Sequence, residues 1–189
     1  MGEMCKILNT PVTGGNVSFY NETINSAVYP TPVIGMVGFL ENIDNYMTMN
    51  YKQTGDLIVM IGDFNPSMGG SSYLQSFYNK TEGPLALFNS KVEIDVQSLC
   101  FELIVNKVIK SAHDVSDGGL SVCISESIIS SIGELGANIY IDHKLRSDEL
   151  LFGECPSLIV VSLSEDKLYD LVLLSKKYNV QTQTIGRVT

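Results

Sequence analysis

The sequence is poor in basic residues and contains no long apolar run. Only 12 of its 189 residues are Lys or Arg, against 21 Asp and Glu, and the formal net charge is −9. A broad nucleic-acid surface needs a basic stripe, and a membrane-spanning helix needs roughly 20 apolar residues. We therefore expect neither a nucleic-acid nor a membrane partner. An anionic ligand would be held by backbone N–H groups or a metal rather than by lysines.

The cysteines are few and widely scattered. Cys5, Cys100, Cys123 and Cys155 form no C-x-x-C pair, which disfavours a zinc ribbon or a redox pair. Thiols at this dilution are typical of buried cysteines in a reducing cytosol. The first six residues do not show the basic and apolar pattern of a signal peptide. We therefore expect a cytoplasmic protein.

The hydrophobic content and the order of the predicted elements favour a folded α/β domain. Hydrophobic residues make up 44% of the chain and charged residues 17%, which excludes disorder. The length suits one domain plus a strip of a neighbour. The patterns predict helices over 3–9, 73–78, 94–110, 118–129 and 165–178, and strands over 33–40, 57–61, 138–141, 158–163 and 180–188. Their alternation predicts a sheet covered by helices.

The first candidate motif is GGNVSFYNET, residues 14–23. Gly14 and Gly15 would let backbone N–H groups approach an anion closely. The side-chain oxygen of Asn16 suits a hard cation such as Mg²⁺, and Ser18 can donate to a phosphate. The same residues would also suit a tight turn in which Asn and Ser bond the local backbone.

The second motif, HDVSDGGL, lies between an extended segment and a helix. Asp117 is a predicted N-cap of that helix, and Gly118 and Gly119 permit a sharp turn. Asp114 and Asp117, next to a helix N-terminus, could hold Mg²⁺ beside a phosphate. In the alternative, Asp117 only caps the helix, Asp114 pairs with His113, and nothing binds.

Two further segments combine glycine with polar residues. Glu154 is a lone carboxylate in LFGEC, residues 151–155. It is either a surface residue at the end of a helix or a buried, paired acid. MGGSS, residues 68–72, places a glycine pair at a helix start. Ser71 or Ser72 would cap this helix, although its N-terminus is formally also an anion site.

Six stretches of the sequence, taken in their order along the chain, resemble one enzyme family. They are GGNVSFYNET, PTPVIGMVGFLEN, GDLIVMIG with MGGSSYL, SAHDVSDGGL, LFGE and IGRVT. They are similar to the C-terminal part of phosphoribosylformylglycinamidine synthase, a purine-pathway ligase, in its large-subunit (small-type synthetase II) form. GNVSFYNET and HDVSDGGL together are highly specific. A weaker version of the pattern runs through the aminoimidazole ribonucleotide synthetase-like superfamily.

The resemblance implies a domain organisation and site residues. Residues 1–30 would be the tail of a preceding ATP-binding domain plus a linker. Residues 31–189 would be the final α/β (α+β) domain, a three-layer sandwich with a mixed sheet. Gly15 would contact ATP, Asn16 would bind Mg²⁺ and Ser18 would contact the substrate. The weaker candidates are His113, Asp114, Asp117, Gly118, Gly119 and Glu154.

The resemblance also implies a reaction and partners. In the family, formylglycinamide ribonucleotide becomes formylglycinamidine ribonucleotide. ATP activates the amide oxygen as an iminophosphate, and ammonia from a glutaminase displaces the phosphate. The expected partners are the N-terminal ATP-binding domains, a glutaminase subunit and a small accessory subunit, so this chain alone should be inactive. Alternatively, it is a packing or dimerisation module of the superfamily, or part of another member such as aminoimidazole ribonucleotide synthetase. The exposed apolar surface of an excised domain also predicts a homodimer.

Two positions depart from the family pattern. The family usually has an Arg a few residues after F-G-E, whereas Pro156, Ser157 and Leu158 follow Cys155 here. The G-G-S segment often continues with an acid, and Ser72 stands in its place.

Overall fold

The computed structural model describes residues 1–18, 20–29 and 31–189, which form two compact units, Met1–Asp44 and Asn45–Thr189. The first unit contains helix α1 (Gly2–Ile7), as predicted, and an isolated antiparallel bridge between Glu22 and Ala27. The predicted strand over 33–40 is wrong, because the described residues of this stretch form no strand. Gly35 and Gly38 weaken the segment, and no strand of the described residues pairs with it.

The second unit carries the alternating elements that the sequence predicts. They are β1 (Leu57–Ile61), α2 (Ser72–Tyr78), α3 (Ser90–Val105), β2 (Ser111–Asp114), α4 (Gly119–Ile129), β3 (Ala137–Ile139), α5 (Ser147–Phe152), β4 (Ile159–Leu163), a 3₁₀ turn (Glu165–Lys167), α6 (Leu168–Tyr178) and β5 (Thr182–Val188). The short helix α5 was not predicted. Ser71 caps α2, since its Oγ accepts a hydrogen bond from the Leu74 N–H at 3.3 Å.

The five strands form one sheet in the order β2-β4-β1-β5-β3, and every pairing is antiparallel. The expectation of a mixed sheet is therefore corrected. Strands β1, β2 and β3 run in one direction and β4 and β5 in the other. Since β4 and β5 insert between the first three strands, each neighbour runs antiparallel to the next.

Helices cover both faces of the sheet, which confirms the α/β class and the three layers. All five residues of the central strand β1 are buried, as expected of a strand with apolar layers on both sides. Ile58 and Met60 belong to the core cluster that includes α4. Val59 and Ile61 pack on the other face against residues of α3 and α6.

The boundary between the units, at 44/45, lies further along the chain than the expected 30/31. Thr48 already belongs to the second unit, where its carbonyl accepts a hydrogen bond from Ala112 of β2 at 3.2 Å. Tyr51 is buried there, and its N–H donates to the Ser127 carbonyl of α4. Pro30, at the expected boundary, lies outside the described residues.

No helix among the described residues is both long and apolar enough to cross a bilayer.

Candidate functional site

The Glu154 carboxylate joins three of the four candidate motifs. Its Oε1 accepts the Ser72 N–H at 2.7 Å and the Gly118 N–H at 3.0 Å. These two donors lie at the starts of α2 and α4. The backbone of Glu154 also exchanges two hydrogen bonds with Ser67, at 2.9 and 3.0 Å. LFGEC therefore ties MGGSS to HDVSDGGL, and Glu154 is a paired acid rather than a surface residue.

Glycines allow these segments to lie in contact. Gly119 has a left-handed φ of 72°, and a Cβ built there would lie 2.6 Å from the Gly153 carbonyl oxygen and 2.8 Å from the Phe152 carbonyl carbon. A Cβ on Gly153 would lie 2.5 Å from the Glu149 carbonyl oxygen. Real Cβ atoms do not approach backbone this closely, so the packing of the two turns requires glycine. Beside the turns, the Phe152 and Tyr73 rings stack with centroids 4.9 Å apart.

His113 links strand β2 to helix α4 through two carboxylates. Its Nε2 lies 2.9 Å from Oε2 of Glu126, and its Nδ1 lies 3.4 Å from Oδ1 of Asp114. The imidazole is mostly buried, whereas both carboxylates are largely exposed. The structure thus contains the Asp114–His113 pair of the alternative interpretation, with Glu126 as a further partner that the sequence did not indicate.

The predicted capping role of Asp117 is wrong. The N-cap of α4 is Gly118, with a φ of 81° and no hydrogen bond from a capping side chain of its own. Glu154 supplies the acceptor instead, from 36 residues further along the chain. The Asp117 side chain is exposed. The turn therefore presents Ser116 and Asp117 outward, while the Gly118 N–H faces inward.

We expect Asp117→Ala to leave the free energy of unfolding within about 0.5 kcal/mol of the parent, as for an exposed residue without a structural bond. Loss of a true cap would cost about 0.5–2 kcal/mol. Urea denaturation followed by circular dichroism measures the difference, with Ser71→Ala as the matched variant that does remove a cap. Equal losses in the two variants would contradict this assignment.

The cysteine beside Glu154 is not a nucleophile. Cys155 is buried, its Sγ contacts the Asn65 N–H and the Asp63 carbonyl at 3.4 Å, and burial raises the pKa of the thiol. Burial likewise raises the pKa of Cys123 to about 12 and that of Cys100 to about 11. These thiols stay protonated at neutral pH, which agrees with a structural role.

The GNVS segment lies in the first unit and is held by local hydrogen bonds. The Ser18 hydroxyl donates to the Tyr20 carbonyl at 3.2 Å, and Nδ2 of Asn21 donates to the Ser18 carbonyl at 2.6 Å. Gly15 has no left-handed φ. Phe19, inside the same motif, lies outside the described residues. The local bonding expected of a polar turn is present, and the ligand roles of Gly15, Asn16 and Ser18 stay predictions.

The described residues contain no group of three or more His, Cys, Asp or Glu side chains that could hold a metal ion. Asp114 and Asp117 are both exposed, and Asp114 is paired with His113.

Sequence reasoning did not identify the partners of Glu154. The Glu154 side chain accepts hydrogen bonds from backbone N–H groups. The sequence does not show which backbone N–H groups of the folded chain are free to donate. The only signal was the order of residue types, with glycine-containing turns at the starts of α2 and α4 and directly after α5. In the stretch after Cys155 that departs from the family pattern, Ser157 has a left-handed φ of 58°, and its Oγ donates to Oε2 of Glu93 at 2.5 Å.

Comparison with known proteins places residues 53–189 in one family. They match the model described as AIR synthase related protein, C-terminal domain. Over 99% of its length the chain is 40% identical to phosphoribosylformylglycinamidine synthase subunit PurL of Moorella thermoacetica. It is 41% identical over its full length to the same subunit of Carboxydothermus hydrogenoformans. The chain spans only 25% and 26% of the lengths of these relatives.

Solved structures share the fold. Thermotoga maritima PurL complexed with FGAR superposes with a TM-score of 0.64 at 18% identity, over 77% of this chain and 26% of that one. The structure of PurLQS from the same organism has a TM-score of 0.61 at 16% identity, over 78% of this chain and 24% of that one.

Proposed function

The chain belongs to the family of AIR synthase related proteins, and we propose that it is the C-terminal part of a phosphoribosylformylglycinamidine synthase. The observation that carries this proposal is the extent of the similarity. Identity of 40–41% to PurL subunits runs through essentially the whole chain, including the GNVS segment that precedes the family match at residue 53. Another member of the superfamily, such as aminoimidazole ribonucleotide synthetase, is the weaker alternative.

On this proposal the chain contributes contacts to a composite site. Bound ATP would supply the phosphoryl group that activates the amide oxygen of formylglycinamide ribonucleotide. The Gly15 backbone would approach the nucleotide, the side-chain oxygen of Asn16 would be one ligand of Mg²⁺, and the Ser18 hydroxyl would contact the substrate. An amide oxygen is a donor that Mg²⁺ accepts. The Ser18 hydroxyl bond to Tyr20 is long enough, at 3.2 Å, to be exchanged for a better acceptor.

The remaining machinery would come from other parts of the enzyme. The relatives are about four times as long as this chain, so the N-terminal ATP-binding domains would lie in that extra length. A glutaminase subunit would supply ammonia, with a small accessory subunit in the complex. The Thermotoga maritima structures, of PurLQS and of PurL complexed with ATP or FGAR, support this assembly and these ligands. We place the enzyme in the cytoplasm and expect this chain to be inactive alone.

A specific observation favours a packing role beside the chemical one. The second unit exposes several large apolar side chains on its helices and loops: Phe77, Leu85, Leu87, Phe101 and Leu173. Large contiguous apolar patches mark interfaces, and we infer that these residues contribute to one. Such residues suit a domain that packs against other domains of its own enzyme, and they would favour a homodimer of the excised chain. Light scattering at high concentration tests the dimer, and a monomer would count against it.

The test of the proposed function uses Asn16→Ala in the complete synthetase that carries this chain. We expect ADP·Mg²⁺ to bind at least about tenfold more weakly, because one ligand or hydrogen bond worth about 1.4 kcal/mol is lost. Titration calorimetry measures the affinity. Asn138→Ala, at an exposed position on β3, is the matched control. Unchanged affinity of the Asn16 variant would contradict its proposed role as a Mg²⁺ ligand.

A further inference from the structure

The stretch over residues 33–40, VIGMVGFL, combines six large apolar side chains with two glycines and has no polar residue. Five of these side chains are 65–102% exposed in the first unit: Val33, Ile34, Met36, Val37 and Phe39. No hydrogen bond joins the backbone of this stretch to another described residue. Contiguous apolar surface together with unpaired backbone groups marks a place where another chain segment can pair.

The residue pattern of this stretch indicates a strand that is covered on both faces. Side chains of a strand point alternately to its two faces, so the odd-numbered residues share one face and the even-numbered residues the other. Each face then carries three large apolar side chains and one glycine. A strand with one solvated face alternates apolar and polar residues, whereas a continuous apolar run is typical of a strand between two apolar layers. The partner must therefore supply apolar cover as well as hydrogen bonds.

The sheet of the second unit does not include this stretch. None of its five strands pairs with residues 33–40, and the family match begins only at residue 53. The similarity to PurL subunits nevertheless runs through the stretch, and those relatives are about four times as long as this chain. The additional length of the relatives is where a sheet that receives the stretch would lie.

We propose that residues 33–40 are a docking strand, whose partner is a β-sheet edge in the part of the synthase that this chain does not span. The docking strand extends that sheet through main-chain hydrogen bonds, and its two apolar faces join the core on either side. Pro32 lacks an N–H group, so the pairing begins after it. The identity of the partner rests on the proposed function. The C-terminal domain would then begin after residue 40 rather than at residue 31.

Hydrogen exchange followed by mass spectrometry compares the docking strand in the complete synthetase and in this chain alone. We expect its N–H groups to exchange at least about 100-fold more slowly in the complete synthetase, because paired N–H groups exchange only when the sheet opens. In the chain alone they should exchange as exposed backbone does. The buried strand β1 is the internal reference and should be protected in both proteins.

Two charged variants of the complete synthetase test whether both faces of the docking strand are covered. Val37→Lys places an ammonium group on one face and Met36→Lys places one on the other. Each should reduce the protection at least about tenfold, because an unpaired charge is costly in an apolar layer. Ile132→Lys, at an exposed apolar position of the second unit, is the matched control and should leave the protection unchanged. A loss in only one of the two variants would overturn the assignment of two covered faces.

Equal exchange of the docking strand in the complete synthetase and in the chain alone would overturn the proposal. Protection that appears in the chain alone and rises with its concentration would also overturn it, because the partner would then be a second copy of this chain. The proposed function can fail separately. A complete protein that protects the docking strand but does not amidate formylglycinamide ribonucleotide would support the pairing and overturn the proposed function.

Discussion

Gly119→Ala is expected to lower the free energy of unfolding of the chain by about 2–5 kcal/mol. Left-handed backbone costs an Ala residue about 1–2 kcal/mol, and overlap with fixed neighbours adds about 1–3 kcal/mol. The neighbours here are backbone atoms of Phe152 and Gly153, at 2.6–2.9 Å from the added Cβ. They cannot rotate away as a side chain could, so the two turns must separate. Urea denaturation followed by circular dichroism measures the loss.

Gly133→Ala is the matched control for this prediction. Gly133 also has a positive φ, of 99°, but a Cβ there would meet no atom within 4 Å. It should therefore show the backbone cost alone, about 1–2 kcal/mol. Equal losses at the two positions would show that the close approach of the turns contributes nothing to stability.

Lys110→Met is expected to cost about 3 kcal/mol, because it leaves a buried carboxylate without its cation. The Asp56 side chain is 4% exposed, and its Oδ1 lies 2.6 Å from Nζ of Lys110. Its other oxygen, Oδ2, is buried without a hydrogen-bond partner among the described residues. Lys110 is therefore the main compensation for this charge. Denaturant unfolding of the variant measures the cost.

The double variant Asp56→Asn/Lys110→Met tests whether the unpaired Asp56 charge causes the loss of stability in Lys110→Met. If the cost arises from the stranded charge, adding Asp56→Asn to the Lys110→Met variant should recover part of the lost stability. The control is Lys80→Met, which breaks the exposed pair with Glu82 and should change stability by less than about 0.5 kcal/mol. A loss at Lys110 no larger than at Lys80 would contradict the prediction.

Much of the second unit could be predicted from the sequence, because its signals are local. The β-branched runs at 57–61 and 158–163 are strands, and Ser71 caps α2 as its residue type indicates. The apolar stretch over 33–40 shows the limit of such signals. It has the composition of a strand, but a strand also needs a partner, and none of the described strands pairs with it.

In the candidate site, too, the local features could be predicted from the sequence and the long-range contacts could not. The sequence singled out Glu154, Gly118 and Gly119 as unusual, but it assigned the cap of α4 to Asp117, the nearest acceptor along the chain. The actual acceptor comes from 36 residues away. Hydrogen bonds to backbone N–H groups do not require a particular donor residue, so they leave no pattern that spacing could reveal.

The amino-acid sequence by itself determined most elements of the second unit, the class of fold and the family of this protein, since these follow from local periodicity and from motifs in a specific order. Only the tertiary structure decided that β4 and β5 lie between the first three strands and make the sheet antiparallel. Only the tertiary structure brought Glu154 to two helix starts. Strand order and such long-range contacts depend on which surfaces pack together, and that is a property of the whole chain rather than of any one segment.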